Sequence, residues 1–394
     1  MIDPTNIQQR PKDIHIGNWR QYPYSKWAFH HVQELMPTAK IESETRECRA
    51  FPQMLQSLQD IQVKSPDGDQ CSFTTLLEQN HADALLILHR GKIVAEWHAA
   101  YYDTARPHIL FSVSKSVTGL LAGILEQQGL VDCEAPVADY LQLPKSCVYR
   151  DCTIRHLLDM TVALDFEENY SDQKSEYIKY RIATGWNPVD QTVPGSGLEA
   201  FLSGLTKSAS EHGQAFLYRS PNTDLLGIIL ETAGNKPLAA LIAQYLWKPM
   251  GAESEAYISL DRYGVARAAG GMCITLQDLA RIGQLFLDNG RANDKQVISP
   301  TWLEDTRNNG DQRAWDKGNY KHKLPNGKYR NQWYQVGDDD GSISARGIHG
   351  QLLYINPTRS VVVAKLASQP EPLNDVLTAS FFNAFDKIAR DFGQ

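Results

Sequence analysis

Apolar residues recur at two different periods along the chain, and the change of period marks out the elements. Ala84-Leu85-Leu86-Ile87-Leu88, an Arg90-Gly91 turn and Ile93-Val94-Ala95-Glu96-Trp97 read as two β-rich runs about a glycine, the pattern of an antiparallel hairpin. Further on, Val117, Leu120, Leu121, Ile124 and Leu125 fall at i, i+3, i+4, i+7 and i+8. That spacing predicts a buried helix, with Gly129 as its C-cap and Gly119 and Gly123 admitting a close neighbour. From Asp132 to about Gly213 the pattern is loop-rich, with short helical stretches at Thr153 to Met160 and Gly197 to Leu205. Helices follow at Asn222 to Ala233, Pro237 to Trp247 and Thr275 to Leu287, each stopped by a glycine (Gly234, Gly251, Gly290).

The last third returns to strand periodicity. Pro325-Asn326-Gly327 is expected to turn a hairpin between Tyr320-Lys321-His322-Lys323 and Tyr329 to Tyr334. Gln351 to Ile355 and Ser360 to Leu366 read as core strands joined at Asn356-Pro357, and an amphipathic helix from Asn374 to Arg390 ends the pattern. Strands toward both ends with helices between them predict an α+β fold, an antiparallel sheet flanked by helices. In that reading residues 1–130 and 270–394 form the sheet domain, and residues 131–269 form an inserted, mostly helical domain. There is no internal repeat and no linker between independent modules.

Composition narrows the function. The chain has 394 residues, 42% of them hydrophobic and 22% charged, a globular composition with ample material for a core. Its 39 basic against 46 acidic residues give a net charge of −7, which argues against a sequence-independent grip on nucleic acid. A small-molecule substrate is the better expectation. No stretch reaches the run of about 18 apolar residues that a membrane span requires. The first forty residues carry Asp3, Arg10, Lys12, Asp13 and Arg20 without an apolar run, so they do not read as a secretory signal. The six cysteines (Cys48, Cys71, Cys133, Cys147, Cys152, Cys273) lack CxxC or zinc spacing and read as reduced thiols. A cytoplasmic protein with neither metal nor cofactor is therefore expected, and a homodimer is compatible with this reading.

Ser112-Val113-Ser114-Lys115 stands at the start of the buried helix. A serine in a first helical turn sits where backbone N–H groups and the positive dipole end favour negative charge. Lysine three residues later shares its face, and the apolar turns that follow would desolvate the amine and favour its neutral, proton-accepting form. That pairs a nucleophile with a base. A second S-x-x-K, Ser171-Asp172-Gln173-Lys174, lies among Glu167, Glu168, Asp172 and Glu176 with no apolar helix behind it and reads as a solvated loop. Tyr218-Arg219-Ser220-Pro221 places Ser220 as an N-cap with proline at the first helical position and Tyr218 at the helix mouth. Ala345-Arg346-Gly347-Ile348-His349-Gly350-Gln351 precedes a core strand, where glycines let a substrate approach backbone that can offer an N–H to an oxyanion. His349 stands in a suggestive place but reads as a buried, hydrogen-bonded histidine more readily than as a chemical one. Asp338-Asp339-Asp340-Gly341 lacks the spacing of a calcium loop and reads as a solvated acidic turn. G-x-S-x-G, Walker A, H-E-x-x-H and dinucleotide glycine motifs are all missing from the sequence.

Ser112-x-x-Lys115, Tyr218-x-Ser220 and the Gly347 strand, in that order, resemble the serine β-lactamase and penicillin-binding-protein superfamily. Phe111 to Ser116, Tyr170, Gly185-Trp186, Asn222-Thr223-Asp224, Gln332-Trp333 and Gly347 to Gln351 look most like its 6-aminohexanoate-dimer hydrolase branch, over nearly the whole chain. The resemblance implies a β-lactamase/transpeptidase-like fold. It also implies Ser112 as acylated nucleophile, Lys115 as its base, Tyr218 as proton relay, and the N–H groups of Ser112 and Ile348 as oxyanion hole. Tyr170, Trp186, Arg346, Gly347 and His349 become candidate substrate contacts, with Tyr170 near a scissile amide nitrogen.

Two departures matter. Ser220 replaces the family's usual asparagine, and Ala345-Arg346-Gly347 replaces the lactamase K-T-G. The branch holds a substrate amine with an acidic residue, whereas the corresponding stretch here is Lys179-Tyr180-Arg181, which would repel a cation. A serine hydrolase of short-acyl carboxyl esters or linear amides is therefore expected. The alternatives are a non-hydrolytic, penicillin-binding-like ligand binder and a β-lactamase or D-amino-acid peptidase.

Overall fold

A computed structural model describes residues 9–44, 50–170, 176–189 and 197–392. Cys48 and the second S-x-x-K, at 171–174, lie outside the described residues. The central element is a seven-stranded antiparallel sheet. Its order is Lys328–Arg330, Trp333–Gln335, Ile343–Gly347, Gln351–Asn356, Val361–Ala367, Ala82–His89 and Lys92–His98. Sequence alternation explains how it is buried on both faces. Leu85, Ile87, Tyr354, Val361 and Val363 pack under the C-terminal helix Asp375–Phe392 with Phe381, Phe385 and Ile388. Leu86, Leu88, Leu353, Ile355 and Val362 face the opposite core with the helices Val113–Gln127 and Leu276–Leu287. The expected long helices and central strands are all present, displaced by one or two residues at their ends.

A second antiparallel sheet, ordered Thr38–Ile41, Ala256–Ser259, Met272–Ile274 and His108–Ile109, leads into the candidate site. Within residues 131–269 the described elements are helical apart from Ala256–Ser259, which pairs with Thr38–Ile41 and Met272–Ile274. Gly119 and Gly123 act as anticipated: an added Cβ would lie 2.2 Å from the Asn331 carbonyl oxygen and 2.3 Å from the Trp302 ring, respectively. The five described cysteines are free thiols. Among the described residues no single helix is long and apolar enough to cross a membrane.

Two local readings are corrected. The hairpin expected at Pro325-Asn326-Gly327 turns instead at Asn331-Gln332, both with positive φ (52° and 69°), and joins Lys328–Arg330 to Trp333–Gln335. Two successive left-handed residues match the right-handed twist of a tight hairpin, and tertiary bonds hold this one. The Gln332 amide donates to the Leu157 and Leu158 carbonyls, and Ser116 donates to the Gln332 carbonyl. Tyr320 to Lys323 form a turn, with Tyr320 in an aromatic cluster with Phe216, Tyr218 and Tyr334. Ser220 is also not an N-cap: the helix Ser220–Gly234 begins with it, after Arg219, and its hydroxyl and N–H both donate to Glu168.

Candidate active site

Ser112 opens the helix Val113–Gln127 and is half-buried, whereas the rest of the first turn is buried. Phe111, immediately before it, has φ 46°, a left-handed conformation that costs a side-chain-bearing residue about 1–2 kcal/mol. An aromatic cage holds it there: the Phe111 ring lies 4.9 Å from Phe29, 6.2 Å from Trp19, 5.8 Å from Trp186 and 5.2 Å from His349. Phe111→Ala is expected to cost about 3–5 kcal/mol in a denaturant melt, because it empties the cage without relieving the backbone. A loss below about 1 kcal/mol would show that the cage does not hold this turn.

Lys115 reaches back one turn, and its Nζ donates to Ser112 Oγ at 2.8 Å and to the Ala269 carbonyl at 2.7 Å. Burial pushes its pKa down to about 7; Glu168 and Asp224 act upward and Arg267 downward. The Ala269 carbonyl is itself fixed, since the Ala269 N–H donates to Asp224 Oδ1 at 2.8 Å while Arg267 and the Tyr180 hydroxyl occupy Asp224 Oδ2. Desolvation raises the Asp224 pKa, and the Arg267 guanidinium opposes that shift. Tyr218 closes the group from the far side, with its ring centroid 5.0 Å from Lys115 Nζ. Burial drives its phenol pKa well up, and a hydrogen bond with Ser112 acts against the rise.

These groups open onto a cavity of about 380 Å³, lined by Ser112, Tyr170, Tyr218, Arg346, Gly347 and Ile348 and walled further out by Tyr320, Tyr334, Tyr354 and Phe382. Gly347 explains how the Ile343–Gly347 strand comes so close: a Cβ there would meet the Leu110 carbonyl at 2.5 Å. Arg346 spans the Tyr334 and Phe382 rings, at 5.0 and 4.1 Å, and gives its Nε to Ser344. Its Nη2 is buried with no hydrogen-bond partner among the described residues, and desolvation lowers the guanidinium pKa to about 10.

Trp186 and His349 pack around Phe111, next to Ser112, and are not among the cavity's lining residues. Trp186 donates to Ser259 Oγ at 3.2 Å. His349 (φ 59°) has Nδ1 2.7 Å from the Gln369 carbonyl, and burial lowers its pKa to about 4. Sequence reasoning missed Glu168, which it read as part of a solvated loop. Its carboxylate accepts from the Tyr170 hydroxyl and from both donors of Ser220, which ties the Tyr170 wall to the helix carrying Asp224. No local pattern marks it, because Ser220 lies 52 residues away.

An antiparallel sheet carrying Ser-x-x-Lys at the head of a buried helix, opposite a tyrosine and a glycine-ended strand, defines a class. The chain belongs to the β-lactamase family, whose model matches residues 73–384, and it has the β-lactamase/transpeptidase-like fold of a hydrolase family. Within that family it is similar to the 6-aminohexanoate-dimer hydrolase of Paenarthrobacter ureafaciens, 32% identical over 357 residues, 91% of this chain and 88% of the relative. A Bacillus anthracis structure provisionally named a 6-aminohexanoate-dimer hydrolase superposes with a TM-score of 0.89 at 26% identity, over 97% of this chain and 98% of that one. A family VIII carboxylesterase shares the fold at a TM-score of 0.58 and 13% identity, over 79% of this chain and 95% of that one.

Proposed function

We propose that the protein is a serine hydrolase that cleaves short-acyl carboxyl esters and linear amides through an acyl-Ser112 intermediate. The observation that carries this is the buried Lys115 amine, 2.8 Å from Ser112 Oγ and poised near neutrality. Neutral Lys115 takes the Ser112 proton as Oγ attacks the substrate carbonyl carbon. The N–H groups of Ser112 and Ile348 receive the developing oxyanion, a term worth about 10²–10³ in rate for each donor. The C–O or C–N bond breaks as Tyr218 passes a proton from Lys115 to the leaving group, and Tyr170 faces that group from the cavity wall. Water then attacks the acyl carbon, gives its proton back through the same pair and frees Ser112.

Substrate class follows from the walls. The aromatic lining suits an apolar acyl chain, and the Arg346 guanidinium borders the cavity as a partner for a substrate carbonyl or carboxylate. Arg181 lies over the Tyr177 ring at 4.5 Å, and that ring is 5.1 Å from Tyr170, which disfavours a cationic leaving group. Neutral esters are therefore expected to outpace amides that carry a free amine.

The reading is tested by rates on p-nitrophenyl acetate and butyrate, on the 6-aminohexanoate linear dimer and on a chromogenic β-lactam. Multiple turnovers of the esters are expected. Inertness toward esters and amides, with stoichiometric and persistent β-lactam acylation, would instead identify a binding protein. Glu168→Gln gives a second check. Glu168 holds the Lys115 pKa up, so its neutralisation should move the rising limb of kcat/KM to lower pH and, by weakening three hydrogen bonds, reduce kcat/KM about tenfold. An unmoved limb would mean that Glu168 does not act on Lys115.

A further inference from the structure

Four residues upstream of the nucleophile, three buried side chains converge without completing their own hydrogen bonding. His30, Asp83 and His108 come from the segment after the first short helix, from the central sheet and from the strand that leads to Ser112. One ligand atom from each, His30 nitrogen, Asp83 oxygen and His108 nitrogen, lies within 4.8 Å of the others.

The partners of each group fix what faces the centre. His108 Nδ1 is 2.8 Å from the Ile109 carbonyl, so that nitrogen must carry the hydrogen and donate. Its Nε2 then points at Asp83 Oδ2, 3.1 Å away. In a neutral ring this sets a lone pair against a carboxylate oxygen, so something positive has to stand between them. Asp83 Oδ1 is already taken by the Tyr101 hydroxyl and by Ser368 Oγ at 2.9 Å, which leaves Oδ2 as the free oxygen. His30 Nε2 is 4.0 Å from that same Oδ2, and neither His30 nitrogen has a hydrogen-bond partner among the described residues, although the residue is only 5% exposed. A second proton on His108 would satisfy Asp83 and leave His30 orphaned, at a cost of about 1–3 kcal/mol. A single cation at the centre would take one nitrogen of each imidazole and Asp83 Oδ2, leaving only His30 Nδ1 without a partner among the described residues.

We propose that His30, Asp83 and His108 form a structural binding site for a zinc-class divalent transition cation. Imidazole nitrogens select such ions over magnesium or calcium. At metal–ligand distances of about 2.0–2.1 Å, tetrahedral ligand atoms sit about 3.3 Å apart, a value that the 3.1 and 4.0 Å separations bracket. The surroundings resemble an outer shell: a backbone carbonyl fixes the His108 tautomer, and two hydroxyls orient the Asp83 carboxylate. The three protein ligands leave the fourth position of a tetrahedral ion open to a small ligand such as water. The ion would pin the strand His108–Ile109 to the Phe29–His30 segment, which the Ile109 N–H already bonds through the Phe29 carbonyl at 2.9 Å. It would thereby brace the cage around Phe111 without entering the cavity chemistry.

The test is a zinc titration of the full chain after chelator treatment, read by calorimetry and by thermal melting, with cobalt substitution as a probe of geometry. One equivalent of zinc, a raised Tm and tetrahedral cobalt absorption bands are expected in wild type. His30→Ala, which keeps the His108–Asp83 contact, should weaken binding ~100-fold or more, and His108→Ala should do the same. Absence of zinc binding and of any Tm shift in wild type would overturn the site and leave a proton between His108 and Asp83. An equivalent retained in both variants would place the metal elsewhere and also overturn it. Should the variants not fold, the wild-type titration and the cobalt spectrum decide alone.

Discussion

Ser112→Ala is expected to lower kcat on p-nitrophenyl butyrate by about 10⁴-fold or more while leaving the fold intact. The loss is large because, on the proposed mechanism, the residue supplies the only atom that becomes covalently bonded to substrate, and neither the proposed oxyanion N–H groups nor the aromatic cavity can replace it. The fold survives because the half-buried Ser112 hydroxyl gives up only its side-chain hydrogen bonds with Lys115 and Tyr218, each worth about 1 kcal/mol. Parallel rate and Tm measurements check both halves. An alanine variant with wild-type turnover would remove Ser112 from the mechanism, and one that fails to fold would show that the hydroxyl is structural.

Lys115→Met should cost about 10²–10⁴ in kcat/KM and also erase a pH dependence. The folded-state pKa lies near 7 against an ordinary 10.5, so the neutral base accumulates as pH rises through about 7. Wild-type kcat/KM is then expected to climb about tenfold per unit below that value and to level off above it. The stability linkage has a related sign. Between about 7 and 10.5 the unfolded chain holds the lysine proton that the folded chain has released, so this group's contribution to stability rises with pH across that window. Below it, folding bears the cost of a buried ammonium. A profile recorded from pH 5 to 9 on both proteins separates the assignments, since a rising limb that persists in Lys115→Met would belong to another group.

What was legible in the sequence depended on sequence distance. Ser112 and Lys115 share one helical turn, so spacing alone brings the amine to the hydroxyl. The paired runs at Leu85–Leu88 and Ile93–Trp97 likewise carry their own turn. The site's remaining constraints act across the fold. The Ala269 carbonyl that anchors Lys115 lies 154 residues away, and the Asp224–Arg267 pair that fixes this carbonyl spans 43 residues. The left-handed Phe111 carries no glycine or asparagine to announce it; its conformation is imposed by rings from Trp19, Phe29, Trp186 and His349. The misplaced hairpin has the same origin. Pro325-Asn326-Gly327 has the stronger turn composition, but Gln332 is drawn into bonds with Leu157, Leu158 and Thr223, and those contacts put the turn at Asn331-Gln332. His30, Asp83 and His108 are separated by 53 and 25 residues and belong to no spacing motif.

The central claim, covalent catalysis at Ser112, is tested most directly by mixing the protein with p-nitrophenyl butyrate, quenching in acid at short times and mapping the peptides by mass. A single butyryl group on the peptide that carries Ser112, appearing during turnover and vanishing when substrate is exhausted, is the predicted result. Sustained ester turnover with Ser112 unmodified at every time, or with the acyl group on another residue, would contradict the account.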